Sequence, residues 1–216
     1  MADAVELEQL KSRDGETFRQ LYAIYAASIV AREQKPEDWI GAMIGAPEYR
    51  VWVAKVGGLV RGFGILFLPA AGGFALLEYM AVAHEQRNRG LGRELFLQSL
   101  GCAMTPAGRK LPVVLEIDSD RERSSDRAMR TRRERFYRRL GCVRIAGLHY
   151  IMPLPGEGSS PEMDLMVHSA EPLDSLGRGE LKRWLRIIYQ DVYRCSPDDP
   201  RIEQMLQDLP DPVGFE

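Results

Sequence analysis

The sequence predicts a single-domain mixed α/β fold of the α+β kind, with a mostly antiparallel central sheet flanked by helices. Three observations predict it. Apolar residues recur at helical spacing near both ends of the chain. Strand-like runs separated only by turn signals fill residues 49–82, and no repeat or low-complexity stretch interrupts the 216 residues. A content of 45% hydrophobic and 28% charged residues is enough for a buried core.

Val5–Lys11 reads as a short first strand. In the next segment, a helix, Phe18, Leu21, Tyr22, Tyr25 and Ile29 fall at i, i+3, i+4, i+7 and i+11, which makes one face apolar. Pro36 suits the first turn of a second helix carrying Trp39, Ile40, Met43 and Ile44, ended by Gly45 and Pro47. The period then changes. Tyr49–Val56, Val60–Leu68 and Phe74–Val82 are β-branched or aromatic runs separated by Gly57-Gly58 and by residues 69–73, the pattern of an antiparallel meander. A polar loop leads into a helix from Leu91 to Met104. Val113–Ile117 is apolar except for Glu116, the look of a strand covered on both faces. An arginine-rich helix over Asp126–Leu140 ends at Gly141, a left-handed cap, before a strand over Val143–Met152. The linker-like Pro153–Glu162 reads as a hairpin loop. The remainder of the chain, a strand Met163–His168 and a helix with Leu181, Trp184, Leu185, Ile188 and Val192, is too small for a core of its own. One domain over residues 1–216 is expected.

Charge and cysteine usage exclude several classes. Twenty-nine Lys and Arg against 31 Asp and Glu lack the basic excess of a general nucleic-acid binder, so no nucleic-acid partner is expected. Cys102, Cys142 and Cys195 are scattered and form no CxxC pair, and His84, His149 and His168 are isolated; the expectation is a reducing, cytoplasmic location and no metal. The acidic first 16 residues lack an apolar core and no run of 18 apolar residues occurs, so neither a secretion signal nor a membrane partner is expected. Ser119–Arg139 holds nine arginines against four acids; a solvated helix face laced with i,i+4 pairs is favoured over phosphate or RNA binding. A homodimer is compatible with the sequence, which carries no direct sign of oligomeric state.

The chemistry concentrates in Leu76–Leu100, where a strand runs into a loop, Arg87-x-x-Gly90-x-Gly92, and then directly into a helix. Glycines at such a turn let backbone approach a ligand closely, and the first helical amides point outward with the positive dipole end behind them. Such a turn binds phosphate. It is neither a Walker loop, which needs Gly-Lys-Ser/Thr, nor a dinucleotide fingerprint, which needs a third glycine.

With these residues the chain resembles the GNAT superfamily of N-acetyltransferases, whose signature is a strand, Arg/Gln-x-x-Gly-x-Gly/Ala and a helix. A second cue, Phe136-Tyr137-Arg138-Arg139-Leu140-Gly141-Cys142, matches that family's FY-x-x-x-G-F/C, and the order of elements agrees with the family over most of the chain. The resemblance implies acetyl-CoA as cosubstrate. It implies that Met80, Ala81 and Val82 pair with the pantetheine arm through their backbone, and that the segment Arg87, Asn88, Arg89, Gly90, Leu91, Gly92 and Arg93 holds the pyrophosphate. It also places Tyr137 beside the cofactor sulfur as general acid. Two departures stand out: His84 where the family often has proline, and Arg130 where it often has an asparagine that contacts the cofactor arm.

Acetyl transfer to an amine needs a neutral nucleophile, a polarised carbonyl and a proton for the leaving thiolate. Glu78 shares strand parity with Met80 and Val82, which would place it on their side of the sheet as a base; the alternative is an edge-exposed carboxylate. Glu116, alone among apolar neighbours, reads as an acceptor-binding group or as a structural partner of a nearby arginine. Glu33, in the loop between the first two helices, is a candidate to hold an acceptor ammonium. The expected activity is transfer of an acetyl group to a primary amine, on a small molecule or a peptide, in a ternary complex. A non-catalytic acyl-CoA sensor on the same fold is the rival.

Overall fold

The computed structural model describes residues 4–121, 126–154 and 162–216. It divides into two compact units, Met1–Ala70 with Ala75–Arg109, and Ala71–Phe74 with Lys110–Glu216. In both, α-helices accompany strands that pair antiparallel, as the sequence predicts.

In the first unit the elements run β1 (Val5–Gln9), α1 (Glu16–Ser28), α2 (Glu37–Met43), β2 (Tyr49–Val56), β3 (Leu59–Phe67), β4 (Ala75–Val82) and α3 (Leu91–Cys102). The four strands lie side by side in chain order. Gly57 and Gly58, at φ 60° and 76°, form the tight turn that lets Val56 pair with Leu59. One face of the sheet is covered by α1 and α2, whose Phe18, Leu21, Tyr25, Ile40 and Met43 cluster with Val51, Val53, Phe63, Ile65 and Ala81. Trp39 leaves this cluster: it is 50% exposed, because in a seven-residue helix the buried stripe is taken by Ile40 and Met43.

Gly62 and Gly64 of β3 mark the opposite face, where Trp52 and Leu95 of α3 pack directly on backbone. A Cβ built on Gly64 would lie 2.5 Å from Cζ2 and 2.6 Å from Cε2 of Trp52, whose ring is fully enclosed. Gly64→Ala is therefore expected to destabilise the protein by about 1–3 kcal/mol through overpacking. A lower midpoint of urea unfolding at unchanged slope checks this, and replacing Trp52 by leucine in the same chain should recover part of the loss.

In the second unit the elements are β5 (Val113–Asp118), α4 (Arg127–Arg139), β6 (Val143–Arg144), β7 (Tyr150–Ile151), β8 (Glu162–His168), β9 (Ser175–Leu176), α5 (Arg178–Ile187), α6 (Pro200–Leu206) and β10 (Val213–Gly214). β8 is the shared strand: β5 pairs along one side of it, and β6 and β7 pair with it too. The continuous strand expected over Val143–Met152 is broken. Gly147 takes φ 72°, and before it the residues around Ile145 are held by the chain's last residues, Arg144 N–H to Glu216 O at 2.8 Å and Ala146 N–H to Gly214 O at 3.0 Å. Most of the expected linker, residues 155–161, lies outside the described residues. α5 packs as its periodicity predicts, with Leu181, Trp184 and Leu185 buried and Trp184 against Phe74 at 5.2 Å between ring centres. It continues into a π-helical turn, Ile188–Val192. Among the described residues no helix is long and apolar enough to cross a membrane.

Candidate active site

β4 delivers the chain to the glycine loop. After a 3-10 turn, His84–Gln86, Arg87 Nε donates to the Val82 carbonyl at 3.3 Å. Asn88 and Gly90 are both left-handed, at φ 65° and 89°; the sequence singled out the glycine for close approach of backbone to a ligand and gave no sign of the asparagine's conformation. Gly90 immediately precedes α3, and its carbonyl accepts the amides of Arg93 at 2.9 Å and Glu94 at 3.3 Å. The Arg93 amide is thus engaged within the helix, while those of Leu91 and Gly92 belong to the first turn, which has no intrahelical acceptor. Leu91 is buried and anchors the turn, whereas Arg87, Asn88, Arg89, Gly90 and Arg93 are exposed. A Cβ on Gly90 would meet nothing within 4 Å, so open space lies before this backbone.

Upstream on β4, Met80, Ala81 and Val82 pair with Gly64, Phe63 and Gly62. Between Leu77 and Tyr79 the register slips, and Glu78 is the extra residue of a β-bulge. The bulge overturns the parity argument. Tyr49 and Tyr79 pack against the cluster under α1 and α2, and Glu78 joins that face: its Oε1 meets Lys35 Nζ and its Oε2 accepts from Tyr49 Oη at 3.1 Å. Its side chain is 2% exposed, so it is no edge carboxylate. The loop that carries Glu33 is drawn to the same place, since Tyr79 Oη donates to the Glu33 carbonyl at 3.1 Å and Tyr25 Oη accepts the Lys35 amide at 2.6 Å. The Glu33 carboxylate stands 3.7 Å from Arg32 Nε. Glu33 and Glu78 are thereby brought together through Lys35 and Tyr79. A carboxylate in an apolar strand calls for a cation, and the single lysine of the loop between α1 and α2 is the sequence signal for it.

In the second unit Glu116 of β5 takes the phenols of Tyr150, on Oε1, and of Tyr193, on Oε2 at 2.9 Å. A tyrosine thus donates to each oxygen, partners that the sequence alone did not suggest. Burial first, and the adjacent Glu116 second, push the Tyr150 phenol well above 10.0. Arg130 donates to Asp126 and to the Ser119 carbonyl, each at 3.1 Å, which ties α4 to the end of β5. The expected i,i+4 pairs appear as Arg130–Asp126 and Arg138–Glu134, while Ala128, Thr131, Arg132, Arg135 and Arg139 line a recess of about 480 Å³ along α4.

Tyr137 sits in the last turn of α4, 7% exposed, and burial raises its phenol from 10.0 to about 12 against the opposing pull of Arg133. Gly141, at φ 88°, closes the helix, and the Cys142 amide returns to the Tyr137 carbonyl at 3.1 Å. Cys142 is a buried thiol, raised by burial from 9.0 to about 12. Both groups keep their protons in the fold past the pH at which the unfolded chain loses them. Their contribution to stability is complete below pH 9 and is lost as pH rises toward 12, at about 1.4 kcal/mol per pH unit for each group titrating. Melting temperature is expected to fall steadily above pH 9, and Cys142→Ala to make that fall shallower.

Residues 47–142 match the family model described as Acetyltransferase (GNAT) domain. A solved structure assigned to the GNAT acetyltransferases, from Bacteroides thetaiotaomicron, is 21% identical and superposes with a TM-score of 0.69, covering 88% of this chain and 99% of that one. A GNAT family acetyltransferase from Elizabethkingia anophelis with acetyl-CoA bound is 14% identical, with a TM-score of 0.52 over 76% of this chain and 97% of its own. Arabidopsis thaliana NAA60, solved with a bisubstrate analogue, is 13% identical, with a TM-score of 0.56 over 76% and 97%. No curated protein matches the sequence. The segment 47–142 is thus similar to a GNAT acetyltransferase domain, and the fold of the chain is the one these solved structures share.

Proposed function

We propose that the protein is an acetyl-CoA-dependent N-acetyltransferase, that the whole chain 1–216 works as one such domain, and that it moves an acetyl group directly to a primary amine in a ternary complex. The observation that carries this reading is the turn at Asn88 and Gly90. Two left-handed residues, open space and first-turn amides stand between β4 and the body of α3, inside the segment that matches the family. The amides around Leu91 and Gly92, with Arg87, Asn88, Arg89, Gly90 and Arg93, would hold the pyrophosphate, and Met80, Ala81 and Val82 the pantetheine arm. Bound acetyl-CoA supplies the activated thioester.

Glu78 takes a proton from the incoming ammonium, the neutral nitrogen forms its bond to the acetyl carbon, the carbon–sulfur bond breaks as Tyr137 gives its proton to the departing thiolate, and the second proton lost by the nitrogen restores the Tyr137 phenol. Glu33 and Glu116 hold the acceptor, a small-molecule or peptide amine. With the proton transfers assigned to Tyr137 and Glu78, the step invokes no metal. Three free thiols favour a cytoplasmic setting. One observation favours the rival, a non-catalytic acyl-CoA sensor: both oxygens of Glu78 are already engaged, by Lys35 and Tyr49.

Acetyl-CoA is expected to raise the melting temperature, since a ligand that binds only the native state adds about 2.7 kcal/mol at a hundredfold excess over Kd. Release of CoA thiol over a panel of primary amines then separates the two readings. Turnover of at least one amine supports the enzyme, binding without turnover leaves the sensor, and no thermal shift at millimolar acetyl-CoA sinks both.

A further inference from the structure

The Lys35–Glu78 pair is an ammonium site already filled from within. The side chains of Lys35 and Glu78 are 11% and 2% exposed, beside Tyr49 and Tyr79 of the cluster under α1 and α2, where two apolar side chains of similar volume are often at least as stable as an ion pair. Around the ammonium stand the Glu78 carboxylate, the Tyr79 ring with its centre 5.8 Å from Nζ, and Tyr49, which orients the carboxylate by donating to its second oxygen at 3.1 Å. A carboxylate plus an aromatic face is the chemistry that selects an alkyl ammonium. The lysine reaches it from the surface. Its backbone is pinned by Tyr25 at 2.6 Å, on a loop whose neighbours Ala31, Arg32, Pro36 and Glu37 are exposed, and its stem is four flexible carbons.

Resting on the reading of Glu78 as the base of an acetyltransferase, the geometry points to Lys35 as an internal stand-in for the acceptor. The ammonium site that Lys35 fills is the one the acceptor's amine must enter, and the acceptor class is an unbranched primary alkyl amine, such as ends a lysine side chain or a diamine. The acceptor displaces the Lys35 ammonium from Glu78 and passes its own proton to the same carboxylate.

The arrangement makes Lys35 a competitor. A site filled by its own side chain for most of the time lowers the apparent affinity for an external amine by the fraction left open. In the full-length protein, Lys35→Ala is therefore expected to lower the KM for cadaverine by about tenfold while leaving the KM for acetyl-CoA unchanged. A purely structural ion pair gives the opposite result: truncation leaves a buried carboxylate uncompensated, stability falls, and the KM for cadaverine stays or rises. That outcome overturns the inference. If Lys35→Ala does not fold, the wild-type protein decides. It should turn over cadaverine with kcat/KM at least about ten times that for leucinamide, whose amine sits on a branched carbon, and a preference for leucinamide overturns the inference. Turnover of leucinamide alone would leave the acetyltransferase reading intact while removing this one, so the two fail separately.

Discussion

Tyr137→Phe is expected to lower kcat by a factor on the order of 10²–10⁴ and to leave both melting temperature and affinity for acetyl-CoA nearly unchanged. The ring is 7% exposed at the end of α4, and its burial is retained by phenylalanine. The substitution removes the hydroxyl, and with it the transferable proton. The phenol ionises only at about 12, so it stays protonated across the whole neutral range and can donate when a thiolate departs. A donor with that ionisation imposes no alkaline limb on kcat below pH 10, so any such limb in the wild-type profile comes from another group. Steady-state rates with the best amine of the panel, beside a melting curve, check both halves. A lowered melting temperature with intact turnover would make Tyr137 a core aromatic and remove it as the acid.

Gly90→Val is expected to weaken acetyl-CoA by more than about a hundredfold and to abolish its thermal shift, while the ligand-free protein loses only the strain of the new residue, about 1–3 kcal/mol. Gly90 holds φ 89° just before α3, and an added Cβ meets nothing within 4 Å, so the penalty is conformational and not steric. A β-branched residue leaves the left-handed region, the turn relaxes, and the amides of Leu91 and Gly92 swing away from one another. Gly101→Ala is the control: it lies in the same helix, without positive φ and with nothing within 4 Å, and should be neutral or slightly stabilising with the ligand response intact. Loss of the response in the control as well would mean that α3 as a whole, and not the turn, carries the effect.

Much of this was legible in the amino-acid order because its signals are local. The alternation at Tyr49–Val56 and its two successors, the glycine pair between them, the Arg87-x-x-Gly90-x-Gly92 turn and the glycine stop after Tyr137 each depend on backbone preferences within a few residues. They appear in the fold as β2 to β4, the left-handed Gly90 and the capped α4. Strand parity failed at Glu78 for a physical reason: one inserted residue reverses the face of a side chain, and a bulge leaves no mark in an apolar run. The strand expected over Val143–Met152 failed because Gly214 and Glu216, at the far end of the sequence, hold its first half.

By itself, the sequence determined the helices and strands up to α4, the phosphate-type turn and the presence of two carboxylates in apolar strands that needed partners, while the break between β6 and β7 and the short elements β9, α6 and β10 were not legible in it. Only the tertiary structure decided who those partners are. Lys35 and Tyr49 come to Glu78 from 43 and 29 residues away, and Tyr150 and Tyr193 come to Glu116 from 34 and 77. A buried charge requires compensation, which sequence can announce; which group supplies it depends on chain segments that meet only when the core closes around them.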